Sequence, residues 1–156
     1  MSDLNIYCIT NKRLKFLEDF CYNLAWVGQD KIPNNYLGCN NKINIYYKEK
    51  YYSELTFQYW YWKNLLNLEK KEWIGFCQKR RFWIKKNSKI LDISKSNIKE
   101  NLLTESNENW KSYESIICNP IDISGAKKIK IIKRGWKNLL KDPFILFNKD
   151  KENIAL

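Results

Sequence analysis

Two short stretches hold the residues whose chemistry is hardest to explain as packing. The first is SELTFQYWYWKN, Ser53 to Asn64, where a carboxylate (Glu54) and a hydroxyl (Thr56) open a run carrying five aromatic rings. The second is GFCQKRRFW, Gly75 to Trp83, with Gln78, Lys79, Arg80 and Arg81 in a row. The chain has four arginines against 24 lysines, so drift alone would have supplied lysine at both arginine positions. A guanidinium presents a rigid two-pronged donor set that fits phosphate oxygens, which an ammonium cannot copy. Adjacent arginines therefore suggest an anionic ligand; the plainer alternative is a solvated charge run. Glu54 is of a type that serves as a general base, although a carboxylate in the first turn of a helix also simply suits the helix dipole.

What is missing narrows the chemistry further. The chain contains no histidine, so it holds no Ser-His-Asp triad, Cys-His pair or His-liganded zinc. There is no D-x-D, so a divalent metal is not expected. Five cysteines, an odd number without a C-x-x-C pair, together with no charged-then-apolar leader, predict a reduced, cytoplasmic setting. No apolar run approaches the roughly 18 residues of a membrane span. Contact with a membrane is expected from the surface, at its inner face.

The 156 residues suit one domain, and 44% hydrophobic with 15% aromatic content marks a folding chain. Net charge is +11, unevenly spread: residues 1–76 carry 10 basic and 8 acidic side chains, residues 77–156 carry 18 and 9. Such a half attracts phosphates of any kind, whether on nucleic acid, anionic lipid or a nucleotide diphosphate. Abundant Lys, Asn and Ile, however, are also the imprint of AT-rich coding, and much of the lysine can be surface drift. Lys127, Lys128, Lys130, Lys133 and Arg134 interleave with isoleucines, as an edge strand guarded by lysine or as a patch facing anionic lipid or a phosphorylated acceptor.

These residues need elements to hold them. Leu4 to Lys12 alternates as a buried strand running into a loop. Leu14, Leu17, Phe20, Cys21 and Leu24 fall at helical spacing, with Gly28 as the stop. A short strand is expected near Ile43 to Tyr46. Ser53 reads as the N-cap of a helix reaching about Leu68, with Leu55, Tyr59, Trp62 and Leu66 as its core-facing stripe. Trp60 and Tyr61 then point away, where either ring could line a sugar-binding surface. Trp73 to Cys77 is a short buried strand that delivers Gln78 to Arg81 at its carboxyl end. A short amphipathic helix lies within 88–106, a strand over Ser112 to Pro120, another near 126–134, and a helix before Pro143. Alternating strands and helices predict an α/β domain with a mainly parallel sheet. Ligands in such sheets bind beyond the strands' carboxyl ends, which selects Thr10-Asn11-Lys12, Gln78 to Arg81 and Asn119-Pro120.

With those segments in view, the sequence resembles the bacterial capsular-polysaccharide and O-antigen glycosyltransferases marked by E-L-T-x-x-Y-W-x-W-K-N and, shortly after, I-G-x-x-H-Y-R-R-Y. Glu54, Leu55, Thr56, Tyr59, Trp60, Trp62, Lys63 and Asn64 match the first motif; Ile74, Gly75, Arg80, Arg81 and Phe82 match the second. The opening IYCITNK is similar to the family's first strand, with Asn11 where that family has histidine, and Gln78-Lys79 stand for His-Tyr. The likeness runs from about residue 5 to 120. It implies a GT-A-like, Rossmann-like nucleotide-sugar-binding domain spanning 1–156, with residues 121–156 as a basic C-terminal segment. The implied activity is transfer of a hexose from a nucleotide-diphosphate sugar, UDP-linked by expectation, to a lipid-linked or polysaccharide acceptor in capsule or O-antigen synthesis. The resemblance implies Glu54, Gln78 and Arg80 at the reacting centre, and Thr10, Asn11, Lys12, Thr56, Lys79 and Arg81 on the donor. Cationic side chains would do the electrostatic work of a metal. The alternatives are a small basic nucleic-acid-binding module and an inactive scaffold of the same fold.

Overall fold

In the computed structural model, residues 3–89, 92–94 and 96–118 are described. The chain divides into two units, Met1–Glu114 and Ser115–Leu156; the account below concerns the first. Its centre is a four-stranded, all-parallel sheet in the order β3-β2-β1-β4. The strands are β1 (Leu4–Thr10), β2 (Asn23–Trp26), β3 (Leu37–Gly38) and β4 (Trp73–Gln78). The helices are α1 (Lys15–Glu18), α2 (Glu49–Tyr52), α3 (Leu55–Asn64) and α4 (Ile98–Asn101). The expected α/β class with a parallel sheet is therefore present.

Period-two alternation sends side chains of β1, β2 and β4 to two different cores. Ile6 and Cys8 of β1, Leu24 and Trp26 of β2 and Cys77 of β4 share one face with Leu17 and Leu102. Ile9, Ala25 and Val27 share the other with Phe57, Trp60 and Tyr61 of α3, and Ile74 and Phe76 pack against them. Full burial of each such aromatic or aliphatic side chain contributes about 1.5–3 kcal/mol, so α3 is held by its inward rings. The first face is closed by the segment after β4. There Tyr22 Oη donates to the carbonyl of Trp83 at 2.8 Å, and Trp83 Nε1 donates to that of Phe76 at 2.9 Å.

The sequence-based expectations fail at several points, each for a physical reason. The helix expected over Leu14 to Leu24 lasts only through α1. Leu24, Ala25, Trp26 and Val27 are buried without a break, which is the pattern of a central parallel strand covered on both faces. Gly28 therefore follows a strand rather than stopping a helix. Ile43 to Tyr46 forms no strand; the third strand is Leu37–Gly38, and a 3-10 turn covers Tyr46–Lys48. Ser53 is not the N-cap. It sits at φ 48° and ψ −119°, and Glu54 caps α3 without a side-chain bond.

The buried face of α3 is the reverse of the expected one. Thr56, Phe57, Trp60 and Tyr61 are buried, whereas Leu55 and Trp62 are more than half exposed. Trp60 Nε1 donates to the carbonyl and side-chain oxygens of Asn41, at 2.9 and 3.0 Å, and Asn64 holds Ile43 through its own amide. That asparagine-rich loop closes over the inward face, so Trp60 and Tyr61 form core and not a sugar platform. The helix ends at Asn64, short of Leu68. Glu108–Ser112 is a 3-10 turn, and no strand follows through residue 118. Asn119-Pro120 and the elements expected over 126–143 lie outside the described residues.

Candidate active site

The strand order sets the location of the site. β1 pairs with β2 on one side and β4 on the other, so the chain winds outward from β1 through β2 to β3 and then crosses back to set β4 on β1's other edge. At such a reversal a crevice opens beyond the carboxyl ends of the two central strands. A cleft of about 260 Å³ lies there, lined by Ile9, Thr10, Asn11, Val27, Ser53, Glu54, Gln78, Lys79 and Arg80.

Each wall follows from local structure. On β1, Thr10 is buried, and its hydroxyl accepts from the Lys12 amide at 3.1 Å and donates to the Lys12 carbonyl at 2.7 Å. This short turn presents Asn11 at the cleft and carries Lys12 past it. At the end of β2, the Val27 amide donates to the Thr10 carbonyl at 3.0 Å, extending the ladder to the cleft floor. Gly28 follows, and a Cβ there would stand 2.8 Å from the Asn11 carbonyl oxygen and 2.6 Å from the Trp26 ring. Only glycine permits that approach.

On β4, Gln78 shares the face of Ile74 and Phe76, the face that α3 covers, and it registers with Ile9. Glu54 is the cap residue of α3. Alternation thus aims the Gln78 amide at the Glu54 carboxylate, and Nε2 donates to Oε1. Beyond Gln78 the chain makes a tight turn closed by Gln78–Arg81 backbone bonds of 3.0 and 3.2 Å. Lys79 and Arg80 form its tip. The Lys79 ammonium donates to Asn11 Oδ1, bridging the ends of β4 and β1.

The charge balance of the lining is two cations to one carboxylate. Burial chiefly, and then the neighbouring Arg80 and Lys12 cations, hold the Lys79 pKa below its ordinary value, with Glu49 opposing weakly. Among the described residues the only ion pair is Arg13–Glu18, at 2.7 Å. Arg80 and Arg81 therefore have no carboxylate partner there. Mutually repelling cations at a strand end are relieved by an anion, and an arginine fork matches the oxygens of a phosphate.

Of the nine residues selected from sequence, the cleft gathers Thr10, Asn11, Glu54, Gln78, Lys79 and Arg80. Lys12 reaches it by charge alone. Arg81 is exposed and tied back by its backbone, outside the lining. Thr56 lies two residues after Glu54, fully buried, and its hydroxyl has no hydrogen-bond partner among the described residues. Ile9, Val27 and Ser53 were missed. Ile9 and Val27 are apolar wall with no chemical signature, but Ser53 is a non-glycine residue in a strained conformation of the kind found at ligand sites.

Among the described residues, no group of three or more Cys, Asp or Glu side chains could hold a metal, and no helix is long and apolar enough to cross a membrane. A second cleft of about 350 Å³, lined by Tyr7, Glu18, Phe20 and Asn23 among others, lies toward the start of β2. Its one carboxylate, Glu18, is engaged by Arg13, whose cation holds the Glu18 pKa low. The smaller cleft has the better-placed chemistry.

Fold and site together define an α/β protein with a cationic crevice at the carboxyl edge of a parallel sheet. The chain belongs to the family described as a domain of unknown function (DUF4422), whose model matches residues 5–142. That match takes in the lysine-rich stretch beyond residue 120. No curated protein and no solved structure matches the chain.

Proposed function

We propose that this protein is a glycosyltransferase of GT-A-like architecture that moves a hexose from a nucleotide-diphosphate sugar to a lipid-linked or polysaccharide acceptor. The observation that carries the reading is the turn tip Lys79-Arg80, at the carboxyl end of β4, facing Glu54 across one cleft. The motif resemblance supplies the reaction class, and the cationic edge of a parallel sheet supports it.

In this reading Arg80 and Lys79 hold the diphosphate. As the bond between C1 of the hexose and the phosphate oxygen breaks, its electron pair passes to the departing nucleoside diphosphate. Prepositioned cations stabilise that growing charge, commonly the largest single contribution to such a rate. Glu54 takes the proton of the acceptor hydroxyl as its oxygen bonds to C1. Gln78 donates to Glu54 and fixes its direction, without a titratable proton of its own, and Asn11 steadies Lys79. The cleft is near the lower end of the roughly 300–1,000 Å³ typical of small-ligand sites, which suits the diphosphate-sugar end of a donor better than a polymer groove.

The test is a thermal-shift and calorimetric screen of nucleotide sugars, with and without manganese, followed by a transfer assay with a lipid extract as acceptor. Binding of a nucleoside diphosphate that Arg80→Ala weakens by roughly 10- to 100-fold is expected. Unaltered binding in that variant, or binding of nucleic acid in place of any nucleotide sugar, would sink the assignment. Donor binding without turnover would leave the scaffold reading.

A further inference from the structure

The most regular apolar stripe in the sequence, Leu55, Tyr59, Trp62 and Leu66, faces outward. Trp62 is 56% exposed and Leu55 52%, while Phe57, Trp60 and Tyr61 fill the opposite, buried face. A helix that is apolar all round is ordinarily covered on every side. Beyond the turn at Ser53 the pattern continues, with Tyr47 at 76% and Tyr51 at 72% exposure. Each of these three rings carries a lysine: Lys63 Nζ lies 3.5 Å from the centre of Trp62, Lys48 5.5 Å from Tyr47 and Lys50 5.9 Å from Tyr51.

We infer that the outer face of α3, with the adjoining α2, is a seat for an anionic bilayer surface. Tryptophan and tyrosine are the residues that favour the headgroup boundary, where a flat ring meets both apolar and wet surroundings. Lysines beside them meet lipid phosphates, each contributing to attachment. Charge decides between occupants. Residues 42–71 contain six lysines and three glutamates, and one of those glutamates, Glu54, is turned into the cleft. A second copy docked through the same patch would set lysine against lysine. An anionic bilayer offers both the apolar depth for Trp62 and the counter-charge for Lys63. This inference does not rest on the transferase reading.

The test is flotation of the full chain with vesicles of phosphatidylcholine alone and of phosphatidylcholine mixed with phosphatidylglycerol, with no sugar nucleotide present. The chain is expected to float with the mixed vesicles only. Trp62→Ser combined with Tyr51→Ser should lower partitioning by about tenfold or more, and Lys63→Gln by about fivefold. These side chains are exposed, and circular dichroism verifies that the variants fold. Vesicle binding that survives W62S/Y51S unchanged, or that only substitution of Lys127, Lys128 and Lys130 abolishes, overturns the proposal. So does self-association removed by W62S/Y51S in a chain that ignores vesicles. Because the readout needs no catalysis, its failure leaves the cleft assignment standing.

Discussion

Gln78 donates its side-chain amide to the Glu54 carboxylate, joining the end of β4 to the cap of α3 across 24 residues of sequence. An amide can orient a carboxylate but cannot exchange a proton with it. Glu54 is the only carboxylate in the lining, so a carboxylate base in this cleft can only be Glu54.

Glu54→Gln keeps the shape and removes the charge. Glu54 makes no side-chain cap bond to α3, so the fold should survive, with the melting temperature changed by only a few degrees. Turnover, followed as nucleoside diphosphate release with acceptor present, should fall by about 10²–10⁴, while diphosphate binding persists. Undiminished turnover removes Glu54 from the chemistry.

Arg80 and Arg81 are neighbours with different expected weights. Arg80 lines the cleft and Arg81 does not. A hydrogen bond to a charged group is worth about 1.5–3 kcal/mol, or roughly 10- to 100-fold in affinity. Calorimetry with a nucleoside diphosphate should show that loss for Arg80→Ala and a far smaller one for Arg81→Ala. Equal losses would mean that the turn tip is drawn too narrowly.

Lys79 supplies a pH dependence whose sign can be worked out. Burial and the adjacent cations hold its pKa below the ordinary 10.5. In the free protein the protonated ammonium is therefore a cost to folding at pH values below the lowered pKa. That cost fades as pH rises toward 10.5. A bound diphosphate favours the cation and reverses the shift. Diphosphate affinity should accordingly be full at neutral pH and decline as pH rises through the lowered pKa, before an ordinary lysine titrates. Lys79→Met should flatten that decline; a profile unchanged by the substitution would assign it elsewhere.

The two faces of α3 can be told apart by stability. Trp60→Ala removes a buried ring and its bond to Asn41, and should cost about 3–5 kcal/mol in urea unfolding. Trp62→Ala, on the exposed face, should stay within about 0.5 kcal/mol. The reverse order would restore the stripe expected from the sequence.

How much of this was readable from the sequence depends on whether one pattern had one interpretation. β1 and β4 alternate between two faces and end in polar residues, so their position and their carboxyl ends were apparent. From those ends came Asn11, Lys79 and Arg80. The run Leu24 to Val27 had two interpretations, because four consecutive apolar residues fit a buried strand as well as the end of a helix. α3 was found, but its aromatic residues surround the axis, so spacing could not say which face turned inward; Asn41 and Asn64, closing over Trp60, decided it. That Glu54 would meet Gln78 needed both the register of β4 and the position of α3, and neither is a local property. Ser53 looked like an ordinary cap, since nothing in its type announces a positive φ.

The Lys79–Asn11 bridge spans 68 residues of chain, and among the described residues β4 joins the sheet only by pairing with β1. Closing so long a loop carries an entropy cost that is met only once the whole β1–β4 ladder forms. No partly folded chain lacking that ladder can offer the crevice, so a ligand there binds the native state and leaves the unfolded ensemble untouched. Occupancy at a hundred times the dissociation constant should then raise the unfolding free energy by about 2.7 kcal/mol. The site is in this sense a latch on the sheet's last strand, and an anion that enters it also holds the fold shut.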